Sequence, residues 1–158
     1  MFQNFFYTVL SILNTLVRLI PFGLYIGLSL SALLFYDTRI LFLLFGIFIN
    51  DMINMGYRKL YQTSYNESCA LLKYDLTGSF YTHPTPITQM MSFVLSFVAT
   101  HMYNIGNFDL IKLGLILTLT MFTSYSRWFI KCESVLDIVY NILFGILRGL
   151  IFYLLIKD

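Results

Sequence analysis

Long apolar segments constrain this chain more than any other feature of its sequence. A helix that crosses a hydrocarbon core of about 30 Å needs roughly 20 residues, and shorter helices fit in a compact bundle. The pattern predicts a single all-α domain, an integral membrane bundle of about six transmembrane helices with both termini on one side. The six apolar segments span about residues 5–20, 22–36, 40–56, 87–103, 110–125 and 135–156, with a long polar loop at 57–86.

Composition supports this fold class. Of 158 residues, 58% are hydrophobic and only 11% are charged, and the mean hydropathy is +0.76. A soluble globule needs a charged shell, which ten basic and eight acidic residues cannot supply. The net charge of +2 comes without a run of Lys or Arg, so a nucleic-acid partner is not expected. The two cysteines lack metal-ligand spacing, and we predict neither a metal site nor a cofactor.

The ends of the segments set the expected topology. Pro21 should end the first helix, because proline lacks a backbone N–H and clashes with the preceding turn. The alternative is that the short second segment is re-entrant. Lys and Arg are more frequent on the side of the 57–86 loop, and the positive-inside rule would place that side in the cytosol. There Cys69 and Cys132 should be free thiols, and Asn66 of the Asn66-Glu67-Ser68 sequon should carry no glycan.

Polar residues at three helix ends form the candidate site. Such residues are expensive near a membrane, so a cluster on one face predicts a function. An ammonium, a guanidinium and hydroxyls can hold a phosphate by charge-assisted hydrogen bonds. The candidate ligands for a phosphate-bearing lipid headgroup are Lys59, Thr85, Ser126 and Arg127.

The spacing of these residues resembles that of the type 2 phosphatidic-acid phosphatase and vanadium haloperoxidase superfamily, whose membrane members have six helices and three motifs. The third family motif is Ser-Arg, five residues, His, three residues, Asp, and it is similar to Ser126-Arg127 followed by Glu133 and Asp137. The second, Pro-Ser-Gly-His, resembles Pro84-Thr85-Pro86-Ile87. The first, Lys, six residues, Arg-Pro, resembles Lys59 followed by Asn66 and Glu67.

The resemblance implies a lipid-phosphate phosphatase fold and assigns family roles to three positions. In the family, the third-motif histidine is the nucleophile, the aspartate orients it, and the second-motif histidine protonates the leaving alcohol. Glu133, Asp137 and Ile87 occupy these positions here. A carboxylate about 4 Å from one phosphate charge costs about 4 kcal/mol at an effective dielectric constant of 20, and isoleucine cannot donate a proton. The sequence therefore predicts a catalytically inactive relative, a structural or lipid-contacting membrane protein.

Other readings fit the same residues. One is an active, diverged phosphatidic-acid-type phosphatase in which Glu133 or His83 has replaced the missing histidine. Another is a small structural membrane protein unrelated to the family. Arg127 could also be an interfacial anchor that pairs with Glu133 or Asp137. The sequence gives no protein partner, no oligomeric state and no particular membrane.

Three further polar residues are expected to have structural roles. His101, late in the fourth helix, is expected to pack near the opposite face. Asp51 and Asn54 lie about one turn apart on the third predicted helix. We expect them to hold helices together and not to form a ligand site.

Overall fold

The computed structural model describes residues 2–61, 72–73, 80–81 and 86–157. These residues form five α-helices and one short antiparallel hairpin, so the all-helical class is confirmed. The hairpin pairs β1 (Leu72–Lys73) with β2 (Phe80–Tyr81). The helices are α1 (Phe2–Phe35), α2 (Thr38–Tyr61), α3 (Ile87–Ile105), α4 (Leu110–Phe129) and α5 (Val135–Ile156).

Helix α1 joins the first two predicted segments into one helix. It runs through Pro21, where the sequence predicted a break. The physical reason is packing on both sides of the proline, which is itself fully buried. Val17 precedes Pro21 by one turn and packs against Ile87 and Met91 of α3, and Leu24 joins the same cluster from the next turn. Contacts with a neighbouring helix let a membrane helix continue through a proline.

Side-chain and glycine caps set the ends of the other helices. Asp109 precedes α4 and accepts hydrogen bonds from the backbone N–H groups of Ile111 and Lys112, both at 3.1 Å. Ser134 precedes α5 and forms a capping box with Asp137. Gly106 follows α3 in the left-handed conformation, with φ of 71°, which costs glycine little. These polar caps explain why the chain turns sharply between apolar helices.

Helix α3 is the centre of the fold and contacts each of the other four helices. Met90, Phe93 and Phe97 of α3 are at most 4% exposed. The main apolar core joins α3 to two flanking helices, through Leu43 and Ile47 of α2 and Tyr153 of α5. A central helix that is buried on most sides organises the bundle around itself.

Helices α3 and α5 approach most closely at a pair of glycines. A Cβ atom built at Gly149 would lie 2.5 Å from the carbonyl oxygen of Phe93, and one built at Gly145 would clash with the carbonyl oxygen of Gln89. Ser96 of α3 also donates a hydrogen bond of 2.8 Å to the carbonyl oxygen of Ile146. Small residues four apart allow such close backbone contact, a common packing mode of membrane helices.

The outer surface of the bundle is strongly apolar. Two helical segments, Thr38–Tyr57 and Val135–Ile156, are long and apolar enough to cross a membrane, and Leu19–Phe35 is a shorter apolar stretch. Large hydrophobic side chains are exposed on both: Phe45 is 57% exposed, and Leu155 is 75% exposed. The membrane class predicted from the sequence thus has support from two helices.

Candidate functional site

The predicted site contains a buried ion pair at the α4–α5 connection. Arg127 lies in the last turn of α4, and its Nε atom donates a hydrogen bond of 3.2 Å to Oε1 of Glu133. The two side chains are 4% and 8% exposed. The sequence left open whether Arg127 pairs with Glu133 or with Asp137, and the structure pairs it with Glu133.

The other carboxylate oxygen of Glu133 is also occupied. Its Oε2 atom accepts hydrogen bonds from Oγ1 of Thr88, at 3.2 Å, and from Nδ2 of Asn141, at 3.0 Å. Thr88 is fully buried in the first turn of α3, and Asn141 lies in α5. Glu133 therefore connects the ends of α3, α4 and α5, and its charge is held by one cation and two neutral donors.

The backbone at the end of α4 brings Glu133 to Arg127. The N–H groups of Cys132 and Glu133 both turn back to the carbonyl oxygen of Arg127, at 3.0 and 3.4 Å. Lys131, immediately before Cys132, has a positive φ of 55°. Such left-handed closures end many helices and satisfy their last carbonyl groups. The turn that ends α4 thus also brings the carboxylate of Glu133 next to the guanidinium of Arg127.

Asp137 has a structural role in this arrangement. Its Oδ2 atom accepts hydrogen bonds from the backbone N–H and the hydroxyl of Ser134, at 3.0 and 2.7 Å. The Ser134 hydroxyl in turn accepts from the backbone N–H of Asp137, at 3.2 Å. The family position of the orienting aspartate is therefore used here as a helix cap.

Of the remaining predicted site residues, some lie within the part of the chain that the structure describes and others lie outside it. Ile87, the first residue of α3, is 3% exposed and packs against Val17 and Met91. Ser126 precedes Arg127 in α4 and is half-buried. Lys59 lies in the last turn of α2, but its side chain is outside the described part of the structure, as are Thr85 and His83. The structure thus joins Arg127 to Glu133 and leaves the predicted convergence with Lys59 and Thr85 as an expectation.

Cys132 corrects one prediction. It lies in the α4–α5 connection and is disulfide-bonded, so the predicted free thiol at this position is wrong. The free-thiol prediction rested on a cytosolic location, in which disulfides are rare. Cys69, the other cysteine of the chain, and Asn66 lie outside the described residues.

A second polar cluster, between α2 and α5, was missed by the sequence analysis. Its centre is Arg148 of α5, whose Nη1 atom donates hydrogen bonds to Oδ1 of Asn50, at 2.8 Å, and Oδ1 of Asn54, at 3.1 Å. Gln89 of α3 donates to the same Asn50 oxygen, at 3.3 Å. The signal was available, because an arginine in the middle of an apolar segment is costly in a membrane.

The predicted helix-to-helix role of Asp51 and Asn54 is confirmed. Tyr25 of α1 donates a short hydrogen bond to Asp51 of α2, and Asn54 of α2 accepts from Arg148 of α5. His101 lies near the C-terminal end of α3, where its Nδ1 atom is 3.4 Å from the hydroxyl of Tyr153. Its ring packs edge-on against the same tyrosine.

Comparison with known proteins gives no information on the function of this chain, so the proposed function is argued from the geometry of the site. No family model matches the chain, and neither the curated proteins nor the solved structures provide a match. Within the described residues, there is no group of three or more His, Cys, Asp or Glu side chains that could hold a metal ion.

Proposed function

We propose that this chain is a non-enzymatic, multi-pass membrane protein that resembles an inactive lipid-phosphate phosphatase and serves as a structural or lipid-contacting component. The observation that carries the proposal is the occupied state of Arg127. Glu133, at the position of the family nucleophile, forms an ion pair with Arg127 at 3.2 Å. A phosphate would have to displace this internal carboxylate before it could bind the Nε–H group of the guanidinium.

The same contacts argue against Glu133 as a replacement nucleophile. Its two oxygens accept hydrogen bonds from Arg127, Thr88 and Asn141, which engage three of the about four lone-pair sites of the carboxylate and reduce its nucleophilicity. Ile87 cannot protonate a leaving alcohol, and losing a positioned general acid typically costs about 10²- to 10⁴-fold in rate. These contacts instead give Glu133 a structural role, in which it links the ends of α3, α4 and α5.

Crossing of the membrane by all five helices is part of the proposal. Exposed large hydrophobic residues occur also on α1, α3 and α4, among them Leu33, Tyr103 and Ile111. Hydroxyl groups on α3 and α4 donate back to the carbonyl oxygen four residues earlier, as Thr100 and Thr118 do at 2.8 Å. This removes polar groups from contact with lipid. Five crossings, in place of the six predicted, would put the termini on opposite sides.

The length of α1 fits a partial insertion. A helix of 34 residues is about 51 Å long, which exceeds a hydrocarbon core of about 30 Å. About 20 Å of α1 would then lie outside the core. Because α1 packs through Val17 and Leu24 against α3, the part before Val17 is the one that would extend beyond the bundle.

Phosphate release from phosphatidic acid in proteoliposomes tests the proposal. We expect background rates for the wild-type protein and for the Lys59→Ala and Arg127→Ala variants. Release above background that disappears in Glu133→Ala would refute it and make the carboxylate a nucleophile. Release lost in His83→Ala would instead identify His83 as the replacement. The Ile87→His/Glu133→His double variant tests the family resemblance, and a gain that needs both histidines would support it.

A further inference from the structure

The α2–α5 groove is an open, mostly apolar cleft that contains one cation. Its volume is about 170 Å³. From α2 it is lined at positions with i, i+3, i+4 and i+7 spacing, from Gly46 to Ile53, and from α5 with the same spacing, from Arg148 to Leu155. Ile53 and Leu155 on its rim are 42% and 75% exposed, so the groove opens sideways from the bundle. Two parallel ridges of this spacing form the surface on which a third helix packs.

Two hydrogen-bond donors in this groove have capacity for an acceptor. Arg148 donates through Nη1 to the neutral amide oxygens of Asn50 and Asn54, and no carboxylate among the described residues forms an ion pair with it. Asn50 is 2% exposed, and its Nδ2 atom has no hydrogen-bond partner within the described structure. A guanidinium without a described counter-ion, beside an unpartnered amide N–H, favours a carboxylate as the acceptor.

The depth of Arg148 indicates what carries that carboxylate. Arg148 lies 13 residues after the first residue of α5 and eight before its last, about 20 and 12 Å from the two ends. The charged groups of lipids and fatty acids lie at the water interface, whereas an acidic side chain in mid-helix lies at this depth already. A membrane helix therefore fits the groove better than an amphiphile does.

The described helices of a second copy of this chain offer no acidic residue for this role. Within the described helices, Asp51 is the acidic residue at a comparable depth, and it is 7% exposed and accepts a hydrogen bond from Tyr25. Asp109, Glu133 and Asp137 lie at the ends of helices, where they cap α4 or α5 or pair with Arg127. Among the acidic residues of the described helices, none is available at this depth, which favours another protein as the source of the complementary charge.

We propose that the α2–α5 groove docks a membrane-spanning helix of a different protein, which presents an Asp or Glu carboxylate to Arg148 and Asn50. The inference rests on the proposed membrane insertion of α2 and α5, but not on the proposed absence of phosphatase activity, because it uses none of the residues of the Arg127 site. It makes the chain one subunit of a hetero-oligomeric membrane complex.

Peptide binding in phosphatidylcholine vesicles tests this proposal on the full chain. The probes are two leucine–alanine helices of about 20 residues that differ only in a central Glu or Gln, each with a dansyl group. Trp128, the one tryptophan of the chain, serves as the energy-transfer donor. We expect the Glu peptide to bind about tenfold more tightly than the Gln peptide.

Variants and a competitor decide the outcome. The Arg148→Gln variant should bind the Glu and Gln peptides equally, whereas Arg148→Lys should keep the preference for Glu. The control is Arg39→Gln, which removes an exposed cation at the start of α2 and should leave the preference unchanged. Equal affinity of the wild-type protein for both peptides would overturn the proposal. Oleate that displaced the Glu peptide, together with equal peptide affinities, would assign the groove to a fatty acid instead. Neither result depends on phosphate release, so the two proposals can fail separately.

Discussion

Arg127 of α4 and Arg148 of α5 have opposite kinds of partner. Arg127 is 4% exposed and faces a carboxylate, whereas Arg148 lies in an open groove and faces two amide oxygens. An internal carboxylate neutralises a cation and closes its site to anions. Amide oxygens satisfy hydrogen bonds but leave the positive charge uncompensated. The difference suggests that the first cluster fastens helices and the second is available to a ligand.

Breaking the Arg127 pair should have the largest effect on stability. Removing one partner of a buried ion pair leaves an uncompensated charge, so Glu133→Ala should lower the free energy of unfolding by about 3–5 kcal/mol. The Arg127→Leu/Glu133→Leu double variant should recover most of this loss. The measurement is unfolding in detergent micelles, with Asp137→Ala as a cap-only control that should cost about 1 kcal/mol. A single-variant loss no larger than that of the control would contradict the role assigned to the pair.

The disulfide beside this pair should have the next largest effect. Cys132→Ser should lower the free energy of unfolding by about 2–4 kcal/mol, because the bond restricts the unfolded chain. It also predicts that the α4–α5 connection faces an oxidising compartment, against the positive-inside count. A membrane-impermeant maleimide should label Cys132 only after reduction, and from the non-cytosolic side. Labelling of untreated protein from the cytosolic side would reverse this orientation.

Substitution of Gly149 tests the comparison between the two arginines, because it disturbs the packing of α5, the helix that carries Arg148. Gly149→Leu forces a side chain into the backbone of α3 and should lower the free energy of unfolding by about 1–3 kcal/mol. Gly114→Leu is the matched control, since a Cβ atom there meets nothing within 4 Å. Thermal unfolding in detergent compares the two, and equal losses would mean that α3–α5 contact does not limit stability.

Removing Arg148 should have the smallest effect. Arg148→Gln leaves no buried carboxylate behind, so the free energy of unfolding should change by no more than about 1 kcal/mol. The same substitution at Arg127 would strand Glu133 and cost several times more. Parallel unfolding curves for Arg127→Gln and Arg148→Gln measure this contrast directly. Similar losses would mean that the two arginines are structurally equivalent.

The two clusters also differ in how far the sequence predicted them. Spacing alone placed Arg127 and Glu133 at the same helix junction, and their pairing was one of the alternatives that charge suggested. The extra contact from Thr88 depends on where α3 begins relative to that junction, which a single sequence does not encode locally. Arg148 was not predicted because the predicted site was built from polar residues at segment ends, whereas this arginine lies inside an apolar segment.

The continuous α1 teaches a related lesson. Proline predicts a helix end through a local effect, the loss of one N–H and a steric clash. Here packing of Val17 and Leu24 against α3 acts on both sides of Pro21, and it outweighs the local preference. Tertiary contacts between residues far apart in sequence were the missing information at α1.

The glycine pair has a geometric consequence for Arg148. An α-helix turns by about 100° per residue, so Arg148 points about 60° from the direction of Gly145 and about 100° from that of Gly149. Because the two glycines press against α3, α5 cannot rotate about its axis without separating from its closest neighbour. The azimuth of the guanidinium is thereby set by residues that never touch it. An arginine moved one position back would take the place of Leu147, which is 51% exposed, and would lie on the outer surface of the bundle instead of facing α2.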